Sequence, residues 1–153
     1  MKNNVKRIIS VVAPIVVVAV LGSIFVNLGM DWFNGLNKPT QWIPNWVIPV
    51  VWTVIYLTFM VILLLWTNKE SLKKSTIALL IANGILNILW CLVFFTLQLT
   101  FVGNIVIILN LIASIALWVN IFTQKPIYSY WLIIYPIWLS IATTLNLAMW
   151  ILN

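Results

Sequence analysis

The chain has 153 residues, 64% of them hydrophobic and only 7% charged, with a mean hydropathy of +1.14. A soluble domain of this length carries about a quarter charged residues, so the composition excludes a soluble core and indicates a polytopic membrane protein. The net charge of +6 sits in short basic clusters between apolar runs, which argues against a nucleic-acid partner. There is no His, the commonest metal ligand and general base, and a single Cys, Cys91, rules out an intrachain disulfide.

Five apolar segments, at about 8–28, 46–67, 75–97, 101–122 and 128–151, each approach the roughly 20 residues that cross a bilayer. Each is expected to be helical, because unpaired backbone in hydrocarbon is too costly and no alternation suits a barrel. The expected fold class is an all-α membrane protein, a bundle of five transmembrane helices in one domain over 1–153. A long lid-like loop joins the first two helices. The first span follows Lys2, Lys6 and Arg7. It runs from Ile8 to Val26, longer than a signal-peptide core of about 7–15 residues, and no A-x-A site follows, so it reads as uncleaved. Pro14 and Pro49 are expected in first turns, where a missing N–H costs little, and Pro136 is expected to kink the fifth span. The links are Asn68–Lys74, the tight Gln98–Thr100, which makes spans three and four a hairpin, and Thr123–Ile127. Lys2, Lys6, Arg7, Lys69, Lys73, Lys74 and Lys125 fall on one side and only Lys38 on the other. The positive-inside rule therefore predicts a cytoplasmic N-terminus, with the first loop and the C-terminus outside. The clusters read as topology signals, with lipid headgroups as a second role.

The first loop is the unusual stretch. Asp31–Trp52, DWFNGLNKPTQWIPNWVIPVVW, holds four of the ten Trp, three of the six Pro and one of the two acidic residues. A mere connector needs no such apolar bulk, so the stretch is expected to fold back as a lid.

No span carries Asp, Glu, Lys or Arg in its middle. Ion-coupled transporters need a titratable group near the midplane, so coupled transport is disfavoured. The spans carry Asn instead: Asn83 and Asn87 on the third, Asn110 on the fourth, Asn146 on the fifth. These read as interhelical hydrogen bonds, each worth about 0.5–2 kcal/mol, or as donors in an apolar pocket. Aromatic residues recur at helical spacing in Trp52/Tyr56/Phe59, in Asn83/Asn87/Trp90/Phe94 and in Tyr135/Trp138/Ala142/Asn146. Such stripes are packing faces or a lined cavity. Trp66, Trp118, Trp131 and Trp150, near span ends, fit interface anchors. Trp52, Trp90 and Trp138 are the candidates for a cavity that holds a planar apolar ligand. Small residues at Ala78/Ala82 and at Ala19/Ser23 permit close helix contact.

The run from Trp32 to Trp52, W-F-x-x-L-x-K-P-x-x-x-x-P-x-W-x-x-P-x-V-W, resembles the first loop and second helix of the TspO/MBR family, the tryptophan-rich sensory proteins and their relative the mitochondrial translocator protein. The likeness continues in Asn87-x-x-Trp90-x-x-x-Phe94-Phe95 and in Tyr135-x-x-Trp138-x-x-x-Ala142-x-x-Leu145-Asn146. It covers essentially the whole chain. Phe33 stands where the family usually has Tyr, Ile43-Pro44 where it commonly has two prolines, Asn110 where it often has an acid and Cys91 where it has Ser. Pro136 follows Tyr135 where the family proline precedes the Tyr. The resemblance implies a five-helix bundle, usually homodimeric, whose first loop closes a pocket. It further implies a receptor-like protein of a bacterial cell membrane that binds a tetrapyrrole (protoporphyrin or haem-like) or a benzodiazepine-like molecule. Light-dependent porphyrin breakdown and uncoupled transport of small apolar molecules are alternatives. The implied ligand-binding residues are Phe33, Pro44, Trp46, Trp52, Tyr56, Asn87, Trp90, Phe94, Asn110, Tyr135, Trp138 and Ala142. No tightly held cofactor is expected. Without His, porphyrin or haem enters as a ligand, and metal-free porphyrin fits best. The acid–base or nucleophile set of an ordinary enzyme is missing, and the cholesterol motif is absent, since no basic residue follows Lys125.

Overall fold

A computed structural model describes residues 2–40 and 43–153, and side chains from residue 4 onward. Gln41 and Trp42 of the first loop lie outside the described residues. The described chain is helical: α1 (Lys2–Leu28), α2 (Met30–Gly35), α3 (Val47–Thr67), α4 (Lys74–Cys91), α5 (Thr100–Phe122), α6 (Pro126–Leu132) and α7 (Ile134–Leu152). Five helical spans, Asn4–Leu28, Val47–Thr67, Lys74–Thr96, Thr100–Phe122 and Pro126–Leu152, are long and apolar enough to cross a membrane. The protein is a multi-pass integral membrane protein.

Three features depart from the sequence reading. α1 starts at Lys2, so Pro14 lies inside the helix rather than in its first turn. The polar N-terminal residues extend the helix past the apolar run, and Arg7 Nη1 ties that extension to α3 by donating to the Leu64 carbonyl at 2.9 Å. The first loop opens with a helical turn and a half, α2, before it becomes irregular. Trp66 is no interface anchor, being only 2% exposed. It packs against Tyr128 with ring centroids 5.8 Å apart, in a second core with Ile62, Leu117, Ile121 and Leu132.

Pro136 breaks the fifth span as expected. Lacking an N–H, it cannot bond back four residues, and the helix divides at Ile133 into α6 and α7. Pro49 sits in the first turn of α3. α4 ends in a π-helical turn, Leu92–Thr96, closed by Leu97 N–H to the Leu92 carbonyl at 2.9 Å. Gln98 then takes a left-handed conformation, φ 59°, and the chain turns back into α5, which packs along α4.

The helix ends carry aromatic pairs suited to the bilayer boundary. Phe101 meets Trp150 at 5.4 Å at one end of α5, and Trp118 stacks on Phe122 at 5.6 Å at the other. Phe101 and Phe122 lie about 30 Å apart at ~1.5 Å per residue, which matches the hydrocarbon thickness. Trp131 is 66% exposed, as an anchor at the basic end should be.

The main core lies toward the other end. It joins Phe33 of α2, Ile55 of α3, Trp90 and Cys91 of α4, Phe94 and Phe95 of the π turn, and Tyr135, Trp138, Leu139 and Met149 of α7.

Candidate ligand site

The site is built from the helical faces whose spacing the sequence displays. On α4 and the π turn Asn83, Asn87, Trp90 and Phe94 are all buried. Asn87 and Trp90 face α3 and α7, which supply Trp52, Tyr56, Tyr135 and Asn146. Trp52 is the hub. Its ring lies 5.7 Å from Tyr56, 6.4 Å from Trp90 and 6.3 Å from Tyr135.

Two cavities flank this hub. The larger, about 390 Å³, lies among α1, α2, α3 and α4. Its walls include Gly22 and Ser23 of α1, Trp52 and Tyr56 of α3, and Asn87 and Cys91 of α4. The smaller, about 40 Å³, lies toward α7 and is lined by Phe94, Trp138, Ala142 and Asn146 among others. Phe33, Ile48, Trp52, Trp90 and Phe95 line both, so these side chains form a partition between two chambers. The smaller chamber is almost wholly apolar. The larger has polar groups on its wall, including Ser23, Asn27, Asn45, Thr53, Tyr56 and Asn87.

A polar chain runs behind the partition. Trp90 Nε1 donates to Asn146 Oδ1 at 3.3 Å, and Asn146 Nδ2 donates to Asn104 Oδ1 at 2.7 Å. This links α4, α7 and α5 through buried amides. A second pair sits nearby, with the Tyr135 hydroxyl donating to Asn110 Oδ1 at 3.2 Å. Asn87 stands beside the hydroxyls of Tyr56 and Tyr135. Cys91 Sγ approaches Asn87 Oδ1 at 3.9 Å.

The twelve residues singled out in the sequence therefore fall into groups. Tyr56 and Asn87 line the larger chamber; Phe94, Trp138 and Ala142 the smaller; Phe33, Trp52 and Trp90 both. Asn110 and Tyr135 are buried behind Trp52 and line neither chamber. Trp46 is 67% exposed and also lines neither. Pro44 is exposed, and its carbonyl accepts the Val47 N–H at 2.9 Å as α3 begins. Asn83 donates to the Leu79 and Ala113 carbonyls, a structural tie between α4 and α5.

Sequence reasoning missed several lining residues. Ala19, Gly22 and Ser23 line the larger chamber; their small size, visible in the sequence, leaves room for a cavity as readily as for a helix neighbour. Phe95 was hidden for another reason. In a regular α-helix it would turn about 100° away from Phe94. The π turn widens the helix there, and both rings point inward, 5.0 Å apart.

The first loop makes three sets of contacts. Lys38 Nζ lies 5.1 Å from the centroid of the Phe33 ring. Asn153 grips Asn37 twice, accepting from the Asn37 N–H at 2.9 Å and donating to its carbonyl at 3.0 Å. Trp32, Leu36 and Ile43 pack against the main core. No cluster of metal-ligating residues is present among the described residues.

A five-span membrane bundle with an aromatic, amide-bearing cavity at one end is thus the class of protein that the fold and site define. Residues 10–151 match the TspO/MBR family. The chain belongs to that family. It is 30% identical to the tryptophan-rich protein TspO of Archaeoglobus fulgidus, over 98% of this chain and 99% of that one. It is 30% identical to the human translocator protein over 85% of this chain and 80% of that protein. The CrtK protein of Rhodobacter capsulatus is 26% identical over 80% of this chain and 78% of its own length.

Proposed function

We propose that this membrane protein is a receptor for a planar, mostly apolar ligand of the tetrapyrrole class, held in the larger chamber. The observation that carries the reading is the cavity of about 390 Å³ walled by Trp52 and Trp90, with Tyr56 and Asn87 among its polar wall groups. Its size falls in the range of about 300–1,000 Å³ usual for small-molecule sites, apolar walls with a few placed polar groups. In this reading Trp52 and Trp90 offer flat faces to the ring, and Asn87 and Tyr56 bond its polar edge. Trp90 Nε1 is already engaged with Asn146, so its contribution is its face. Phe94, Trp138 and Ala142 receive a substituent that passes the partition. Asn110 and Tyr135 fix Trp52 from behind. The Asp31–Trp52 stretch acts as a lid, with Pro44 and Trp46 shaping its return into α3. The relative named translocator protein adds support for small-molecule binding. We place the single-domain protein, as a homodimer, in a bacterial cell membrane with the N-terminus cytoplasmic.

The test is quenching of Trp fluorescence by protoporphyrin in detergent. Saturable quenching is expected, and Trp52→Phe should weaken it by up to about tenfold, since an aromatic contact of this kind is worth about 0.5–1.5 kcal/mol. Non-saturable quenching, or quenching unchanged in that variant, would overturn the assignment.

One observation favours a second reading, light-dependent oxidative breakdown of the bound porphyrin. Trp52, Tyr56, Trp90 and Tyr135 form a contiguous set of oxidisable rings, each within 6.4 Å of Trp52. Illumination of the complex in air should then bleach the porphyrin bands faster with protein than without. Equal rates leave simple binding.

A further inference from the structure

The end of the bundle opposite the cavity is strongly cationic. Among the described residues the one ion pair joins Lys125 to Glu70. Asp31, the other acid, lies on α2 near the cavity. Lys6, Arg7, Lys69, Lys73 and Lys74 are therefore left with no carboxylate partner. Arg7 differs from the lysines in being held. It is half-buried between α1 and α3, with one guanidinium N–H on the Leu64 carbonyl at 2.9 Å. That carbonyl also accepts the Asn68 N–H at 3.2 Å. Arg7 Nε is buried with no acceptor. A guanidinium has five donors in a planar fork; with Nε buried and one Nη1 N–H on Leu64, the remaining N–H groups of Nη1 and Nη2 are left for an anion outside. Lys6 precedes it in sequence, and Lys69 follows Leu64 by little more than one helical turn. Below this end, Val50, Val54, Leu57, Val61 and Leu65 form an exposed apolar stripe along α3, on which acyl chains can lie.

We infer that Arg7, with Lys69 and Lys6, forms a binding site for the phosphate headgroup of an anionic phospholipid at the α1–α3 seam. The planar fork matches phosphate oxygens in a two-point contact, and the lysines supply field. Lys73 and Lys74, in the link and at the start of α4, contribute only general charge. The site is distinct from the cavity and does not rest on the ligand reading.

The experiment is native mass spectrometry of the detergent-solubilised protein titrated with phosphatidylglycerol, with phosphatidylcholine, or with phosphatidylglycerol plus inorganic phosphate. Phosphatidylglycerol should be retained preferentially. Each charge removed at the site should weaken it about fivefold, so Arg7→Gln with Lys69→Gln loses about 25-fold, while Lys73→Gln with Lys74→Gln loses less than twofold. Arg7→Lys keeps the charge but not the fork and should fall between wild type and Arg7→Gln. If Arg7→Gln does not fold, Lys69→Gln alone must still show its fivefold loss. Equal losses in the two double variants would overturn the site in favour of a diffuse field. So would phosphatidylcholine binding as well as phosphatidylglycerol, and free phosphate competing away the lipid preference would reassign the site to the soluble anion.

Discussion

At the scale of single residues, Asn146 and Gly29 are the most constrained. Asn146 accepts from Trp90 and donates to Asn104. Asn146→Leu leaves a buried N–H and a buried carbonyl oxygen unmet, at about 1–3 kcal/mol for each unsatisfied group. The thermal midpoint in detergent should fall by several degrees, and the loss should exceed that of Leu147→Ala on the exposed face of the same helix. Gly29 joins α1 to α2 where the chain touches the π turn: a Cβ there would lie 2.0 Å from the Phe95 carbonyl oxygen, which is backbone and cannot swing aside. Gly29→Ala should destabilise by about 1–3 kcal/mol. Gly35→Ala, with nothing within 4 Å of its Cβ, should be neutral or gain up to about 1 kcal/mol through loss of unfolded-chain freedom. Paired thermal melts decide both. Asn87, Trp90 and Phe94 are legible from spacing alone, because 3.6-residue periodicity puts them on one face. The need for Gly at position 29 is not legible, since it arises from a contact 66 positions away.

At the scale of elements, the five spans and their order are readable because bilayer thickness fixes their length. The break in the fifth span is readable from Pro136. What escapes the sequence is geometry without a compositional mark. The π turn in LVFFT has no Gly or Pro to announce it, and α2 is a six-residue helix in a stretch whose Pro and Trp content suggests irregular chain. The turn that follows the π segment carries its own prediction. Gln98 holds φ 59°, a conformation that costs L-residues about 1–2 kcal/mol and glycine little. Gln98→Gly should therefore raise the thermal midpoint, and Gln98→Val should lower it, with the larger cavity unchanged in both.

At the scale of the whole molecule, charge asymmetry predicts orientation. The basic links at 68–74 and 123–127 share an end with the α1 N-terminus, and the cavity occupies the other. On a Cys91→Ala background, Asn37→Cys should react with a membrane-impermeant maleimide added to intact cells, and Ser71→Cys only after permeabilisation. The reverse pattern would invert the molecule. The two cores stack along the same axis, Trp66 and Leu117 toward the basic end, Trp90 and Trp138 toward the cavity. The hydrogen-bonded chain from Trp90 through Asn146 to Asn104 has a consequence for biogenesis. Its central member lies on α7 and is the last of the three to leave the ribosome. A nascent chain halted after α5 holds an indole N–H and an amide in hydrocarbon with their partner not yet made. The bundle thus cannot complete its polar centre before its final span arrives, and a chain lacking that span keeps unmet polar groups in hydrocarbon.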